Sequence, residues 1–458
     1  MVNLSKKCEE GSVVVISLAI STVILILLGV FLGSVVAEKR RQERSYHSYQ
    51  ALNLAEAGVE KGINELNKSF INQWSGWVDE GGDKKSFTDP LGYTVVVSGA
   101  STSNPVIVAT GSVAGVNTTV KRTVQVEARA GETVFKQALF AGTKNGNGIT
   151  IIGDIAIDSY DSEGTGKPYN SASASSNGDI ATNSTSIDFN PLNKAICIIG
   201  SGAISGDAVV GPGGDPSQAI IEIPEGIIKG EKTSNDEVKT LSPVASPSIP
   251  SDLENGGDLI FFGNKEINQS ASYSSVFFLS GSLTVDPGAE FIYVDGPFSF
   301  GGALDTNLII NTDTTIYVNG DFSMLGNASI IINGNHKLTI YAGGNVVIVQ
   351  VGNNTINTIS KNPSNFALYG LSSCSSVTLA NLTQEENPGF YGTVYAPSAT
   401  IYDTGAVNMC GSIIGNKIYL VGTNTKVHYD ESLKNPVLNP NAPLGKGFEF
   451  VSGSWKEL

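Results

Sequence analysis

The residues most able to do chemistry are three histidines, four cysteines and one short acidic run. His47, His336 and His428 lie far apart, and His47 falls within a helix-like stretch. The chain has no HExxH, GxSxG, Walker or Rossmann motif, so the usual residue sets for metal-assisted hydrolysis, acyl transfer or nucleotide binding are missing. Asp154, Asp158, Asp161 and Glu163 gather in GDIAIDSYDSEG. Carboxylates from one loop suit acid–base work in pairs, or a calcium ion as oxygen ligands. Their spacing departs from the EF-hand pattern, and solvated turn carboxylates are the simpler reading. Cys8, Cys197, Cys374 and Cys410 show no CxxC spacing, which argues against zinc and thioredoxin-type sites. Cys374 and Cys410 could pair in an oxidising compartment, although buried single thiols are the simpler expectation. No lipobox-like apolar stretch precedes Cys8. The expectation is a protein with no catalytic residues, no metal and no cofactor, and therefore not an enzyme.

The elements that carry these residues follow from composition. Among 458 residues there are 52 glycines, and only 16% of residues are charged, against about 25% in an ordinary soluble domain. Asn, Ser and Thr crowd the region after residue 100, a mixture that favours strands joined by tight turns. The formal net charge of −15 repels phosphate backbones, so no nucleic-acid partner is expected.

The first seventy residues differ. Residues 12–37 contain no charge, and as a helix they would span roughly 39 Å, enough to cross a lipid core of about 30 Å. A polar helix-like stretch follows at once. In it Leu52, Ala55, Val59, Ile63 and Leu66 recur at spacings of three and four, forming one apolar packing stripe. The simplest element is a single helix over 12–68, half in lipid and half outside.

The polar leader MVNLSKKCEE ends in Gly11, and the apolar run begins at Ser12. This junction looks like a class III signal, cut between Gly11 and Ser12 by prepilin peptidase. LNLAEAGVEKGINEL (52–66) resembles the LAEAG signature of PilX-type minor pilins. The resemblance implies membrane insertion beside other pilin subunits, with the stripe packing against them. Major pilins carry glutamate at the fifth mature position, where this chain has Ile16. That departure is similar to minor pilins which prime or cap a fibre. Two other readings stay open: a secretory signal cut after Ala37, and an uncleaved anchor. Lys39, Arg40, Arg41 and Arg44 after the span outnumber Lys6 and Lys7 before it, which by charge alone would place the large domain in the cytoplasm. The pilin resemblance implies the opposite topology.

Beyond the helix, residues 69–90 read as a loop, followed by three strand-like runs that end near 131, a small antiparallel β meander. Residues 132–435 form the large domain, with a Ser- and Pro-rich insertion or linker at about 231–257. Within it IYVDGPFSF, IYVNGDFSM and IYAGGNVVI place Tyr293, Tyr317 and Tyr341 24 residues apart. A fixed period of that size, built of β-branched runs and Gly/Asn turns, predicts a β-solenoid of the right-handed β-helix kind, with a β-sandwich as competitor. The tyrosines would form a core or half-buried ladder. The segment 389–433, ending in His428, Tyr429, Asp430 and Leu433, also resembles the C-terminal solenoid of PilX-related proteins. Residues 436–458 read as an extended tail.

The fold class expected is mainly β: a leader (1–11), a transmembrane and amphipathic helix, a small β unit and a large solenoid. The implied role is a minor pilin-like subunit of a type IV pilus or related machine. It would sit in the cytoplasmic membrane as a single-pass protein and then in an extracellular pilus. Its partners would be other pilin subunits, prepilin peptidase and membrane lipid. The alternative is an anchored or secreted solenoid that binds or acts on surface polysaccharide.

Overall fold

The computed structural model describes residues 6–67, 74–100, 102, 104–115, 118–129, 133–163, 168–351, 355–382, 387–434 and 448–458, with side chains from residue 13 onward. The protein is mainly β, with one long N-terminal apolar helix and an antiparallel sheet. It divides into two compact units, and the sequence of the second is inserted within that of the first.

In the first unit, helix α1 (Lys6–Leu66) runs without a break. Its first half has no tertiary cover: Val13, Ile16, Leu25, Phe31 and Val36 are 49–67% exposed. Its second half meets a sheet. The strands β1 (Val78–Asp79), β2 (Lys84–Asp89), β3 (Tyr93–Ser98), β4 (Val106–Ala114) and β5 (Thr119–Arg129) pair antiparallel in sequence order. Val95 and Val97, Ile107 and Ala109, and Val124 and Val126 alternate toward one face, and that face holds the core.

Two expectations need correction in this unit. Residues 84–89, read as loop, form the paired strand β2; Phe87 is the only large apolar residue in KKSFTD, so no alternation was visible. The charges suit a strand near a sheet edge. Residues 448–458, read as tail, return to this unit. The strands Glu449–Phe450 and Lys456–Glu457 both pair antiparallel with β5, and the Ser454 hydroxyl accepts from the Glu127 amide at 3.1 Å. So short a pairing has no sequence period of its own.

The second unit is a 21-stranded sheet whose paired registers are all parallel, around one continuous apolar interior. Over residues 291–342 neighbours in space are 24 residues apart in sequence. Phe291–Val294, Thr314–Val318, Leu338–Ala342 and Phe366–Gly370 align so that Tyr293, Tyr317, Tyr341 and Tyr369 fall in one row. Inside, Phe261, Phe278 and Phe300 stack at 4.8 and 5.2 Å. The sequence order of the strands is not their order in the sheet. The strands run in sequence order from Glu254–Phe261 to Asn408–Asp430. The strand Ile149–Tyr160, near the start of the unit, then pairs onto Asn408–Asp430, and Ile196–Ile204 and Ile220–Ile223 follow.

This circular order gives the linker a task. Residues 235–253 carry no strand and connect the last coil of the stack back to the first. Asn183 and Lys239 bond reciprocally at 2.8 and 2.9 Å, the Tyr395 hydroxyl donates to the Ser242 carbonyl at 2.6 Å, and Pro247 is buried. The flanking residues of the expected insertion at 231–257 belong instead to strands Lys232–Ser234 and Glu254–Phe261. The intervening stretch is a strap laid on the stack, because a chain whose end coils are far apart needs a return path.

Candidate functional site

The polar side chains concentrate where the two sequence-distant halves of the stack meet, between Ile149–Tyr160 and Asn408–Asp430. Register there is fixed by a row of glycines. A Cβ on Gly153 would collide with the Gly422 carbonyl, one on Gly422 with the Gly405 carbonyl, and one on Gly200 with that of Gly153. Gly153 also takes a φ of +121° that disfavours side chains. With backbones that close, His428 pairs in register with Asp158 and Asp430 with Tyr160.

His428 Nδ1 lies 2.5 Å from Asp158 Oδ1, and the Tyr169 hydroxyl donates to Asp158 Oδ2 at 2.9 Å. The Tyr169 ring stacks on the imidazole with centroids 3.7 Å apart. Next to this pair, Asp430 Oδ1 accepts the amides of Ser162 and Ser432 at 3.0 and 3.1 Å. Burial raises the Asp430 pKa, opposed by the serine hydrogen bonds. Glu431 Oε1 accepts from Ser159, Ser175 and Asn177 at 3.0, 2.7 and 2.9 Å. Burial disfavours its charge, but these bonds outweigh burial and hold its pKa below the ordinary value. The Tyr429 hydroxyl donates to the Phe135 carbonyl at 2.9 Å, and the Thr133 hydroxyl to the Leu433 carbonyl at 3.0 Å. His428, Tyr429, Asp430 and Leu433 thus clasp the end of the unit to its beginning.

A His–Asp pair could orient a general base. At this site His428 is 3% exposed beneath Tyr169, and the hydroxyls of Ser159 and Ser175 turn to Glu431. Cys410 is buried beside Tyr160 and Tyr391, and burial pushes its thiol well above the ordinary range, away from nucleophilic thiolate. The arrangement is suited to fastening two segments.

The acidic run is dispersed by the fold. Asp154 is exposed and takes a bond from Ser201, Asp158 joins His428, and Asp161 accepts the Glu163 amide at 3.0 Å. Among the described residues no group of three His, Cys, Asp or Glu is placed to hold a metal ion. Cys197, Cys374 and Cys410 are buried free thiols, so Cys374 and Cys410 do not pair. Tyr317 and Tyr341 are buried and Tyr293 is half-buried.

On the helix, Ala55, Val59 and Leu66 are buried, and Leu52 and Ile63 are half-buried against the same core. The stripe packs on the unit's own sheet, where small residues let the strands approach. A Cβ on Gly58 would sit 2.9 Å from the Ala109 Cβ, and one on Gly62 would sit 2.8 Å from Ile107 Cγ2. From the strand side, a Cβ on Gly111 would strike the Ala51 carbonyl and lie 2.7 Å from the Ala55 nitrogen. The LAEAG segment is therefore the crossing point of helix and sheet. The Gly11–Ser12 junction lies outside the residues whose side chains are described.

The pairing of His428 with Asp158, the stacking of Tyr169 and the bonds to Glu431 span up to 272 residues and were not foreseen. The recurring glycine in IIGD, IIGS and LVGT was the available signal, since it marks equivalent turns of adjacent coils.

Comparison with known proteins adds three findings. A family described as "Domain of unknown function (DUF7305)" matches residues 251–436, which are the ascending coils from the first strand of the stack to the clasp. No curated protein matches the chain. Among solved structures, the competence-associated pilin ComZ from Thermus thermophilus aligns over 90% of this chain and 97% of its own, at 15% identity and a TM-score of 0.23. Superposition that loose carries no argument about fold or function.

Proposed function

We propose that this chain is a minor pilin-like structural subunit of the PilX type, in a type IV pilus or related machine. The observation that carries the reading is the division of α1. Residues 12–37 of the helix are uncharged, exposed from Val13 on, and by length and composition could cross a membrane; its second half is bound by small residues to a compact antiparallel sheet. An apolar surface of that extent has to be covered, and lipid or neighbouring helices are the natural cover. Prepilin peptidase would cut between Gly11 and Ser12, and other pilin subunits would pack along residues 12–37. The parallel unit, which we read as a β-solenoid, would be displayed outside the cytoplasm for assembly priming or surface contact. In this role the protein performs no catalysis and binds no nucleic acid.

Intact mass and N-terminal sequencing of the protein from its native membrane fraction test this. A start at Ser12 is expected; a start at Glu38 would mean a secreted soluble protein and end the pilin reading.

A second reading is favoured by one feature. A groove of about 830 Å³ crosses successive coils beside the strap, lined by Asp252, Glu254, Gln269, Glu290, Asp313 and Lys337. Carboxylates and amides along a groove suit sugar hydroxyls, so the unit could bind or act on surface polysaccharide. Retention on immobilised cell-wall polysaccharide, with release of reducing ends, would favour it.

A further inference from the structure

The two ends of the parallel stack are built differently. At one end, the strand Ile220–Ile223 pairs only with Ile196–Ile204 among the described residues. There the inward row is Ile220 and Glu222, both buried. Glu222 Oε2 accepts the Ile228 amide at 2.7 Å, and its other oxygen meets the Lys232 ammonium. Burial disfavours the Glu222 charge, yet Lys232 and the backbone amides hold its pKa below the ordinary value. An inward-pointing charge on a terminal strand is a known guard against further strand addition.

The opposite end carries its charge differently: Glu254 and Lys265 fall in the inward register rows of Ala271 and Leu283, but both are exposed where Glu222 is buried and bonded. Glu254–Phe261 pairs only with Ala271–Phe278, and Lys265–Ile267 only with Gly281–Val285, among the described residues. The outer backbone edge of this first coil is therefore open. Its inward residues Leu259 and Phe261 are only half-buried, whereas Phe278 and Phe300 in the same aromatic stack are sealed. Ile260 is 60% exposed and Phe262 71%. An open edge flanked by apolar side chains is the arrangement that accepts an added strand.

Charge selects the occupant. Asp252, Glu254, Asp258 and Glu266 are exposed on this coil and only Lys265 opposes them. Two copies meeting edge to edge would bring like charges together, which disfavours self-pairing.

We propose that the edge formed by residues 254–267 docks an extended β-segment of a partner protein, in which apolar residues alternate with lysine or arginine. The apolar row covers Leu259 and Phe261 and seals the stack. The cations lie beside the outward-facing Asp258 and Glu266, and the edge amides and carbonyls complete the ladder. The inference rests on the stack alone, so its failure would leave the N-terminal processing test untouched.

The probe is an acetylated eight-residue peptide of alternating valine and lysine, titrated by fluorescence anisotropy onto the detergent-solubilised full chain. Amide exchange of residues 254–261 is followed in parallel. Saturable binding with new protection of those amides is expected. Binding should weaken at least 10-fold in the double variant Ile260→Asp, Phe262→Asp, whose sites are exposed, and in the valine–glutamate version of the peptide. No binding, equal binding of the acidic peptide, or binding indifferent to the double variant would overturn the proposal. Concentration-dependent dimerisation abolished by the double variant would also overturn it, because the edge would then be a self-interface.

Discussion

Asp403 gives the most quantitative forecast. It closes the strand Phe390–Asp403, is 1% exposed, and accepts the Thr425 hydroxyl on Oδ2 at 2.8 Å, while Oδ1 has no hydrogen-bond partner. Burial pushes its pKa up to about 7 from an ordinary 3.8, against the opposing pull of Thr425 and the Gly405 amide. Below pH 4 both folded and unfolded chains hold the proton, and the contribution to stability is greatest. As pH rises, the unfolded chain ionises first, so stability falls by about 1.4 kcal/mol per pH unit until the folded carboxyl also ionises near pH 7. The difference of about 3 pH units corresponds to about 4 kcal/mol lost between pH 4 and pH 7, with little change above. Asp403→Asn mimics the protonated form and cannot ionise. Melting curves of the solubilised wild type and variant from pH 4 to 8 should coincide at the acid end, within about 1 kcal/mol, and diverge with the variant more stable by pH 8. Subtracting the two curves cancels every other titrating group. Parallel curves across the range would show that Asp403 is ionised in the fold, and the burial argument would fail.

Four further outcomes follow from the packing. Gly111→Ala should destabilise the first unit by about 2–3 kcal/mol, read as loss of amide protection in β3 and β4, because the new methyl has no room beside Ala51 and Ala55. A double-mutant cycle of His428→Ala and Asp158→Ala should give a coupling of about 1–2 kcal/mol in urea titrations, against near-zero coupling for His336→Ala with Asp158→Ala. Glu431→Gln should steepen less on acidification than wild type, since a lowered pKa adds stability above about pH 4 that is lost as pH falls; melting at pH 3 and pH 7 checks this. Glu222→Leu should leave the fold intact but increase self-association by light scattering, because it removes the inward charge from a terminal strand.

How much of this was legible depends on how local each signal is. The helix was visible because 26 uncharged residues in sequence need no distant partner to declare themselves. The repeat was visible because identical side chains stack on identical side chains, so Tyr293, Tyr317 and Tyr341 carry their register in their spacing. The helix stripe was legible as a covered face, although apolar periodicity alone does not say what covers it. Gly58 and Gly62, which break no helix, form part of the contact itself.

The stacking order and the clasp were illegible for a deeper reason. Backbone ladders between parallel coils are chemically alike, so pairing a coil at 149–160 with one at 418–430 costs no more than pairing it with its sequence neighbour. Only side chains discriminate, and at the junction they are the glycine row, Asn147 on the Tyr419 hydroxyl, and His428 with Asp158 and its neighbours. The strap is the consequence. Once the first coils lie beyond the last, residues 235–253 must return the chain along the stack, and both termini of the unit leave from its interior coils at Thr133 and Leu433. Both ends of the stack are thereby free of chain termini. One of them carries the buried Glu222, and the other presents the open edge at 254–267.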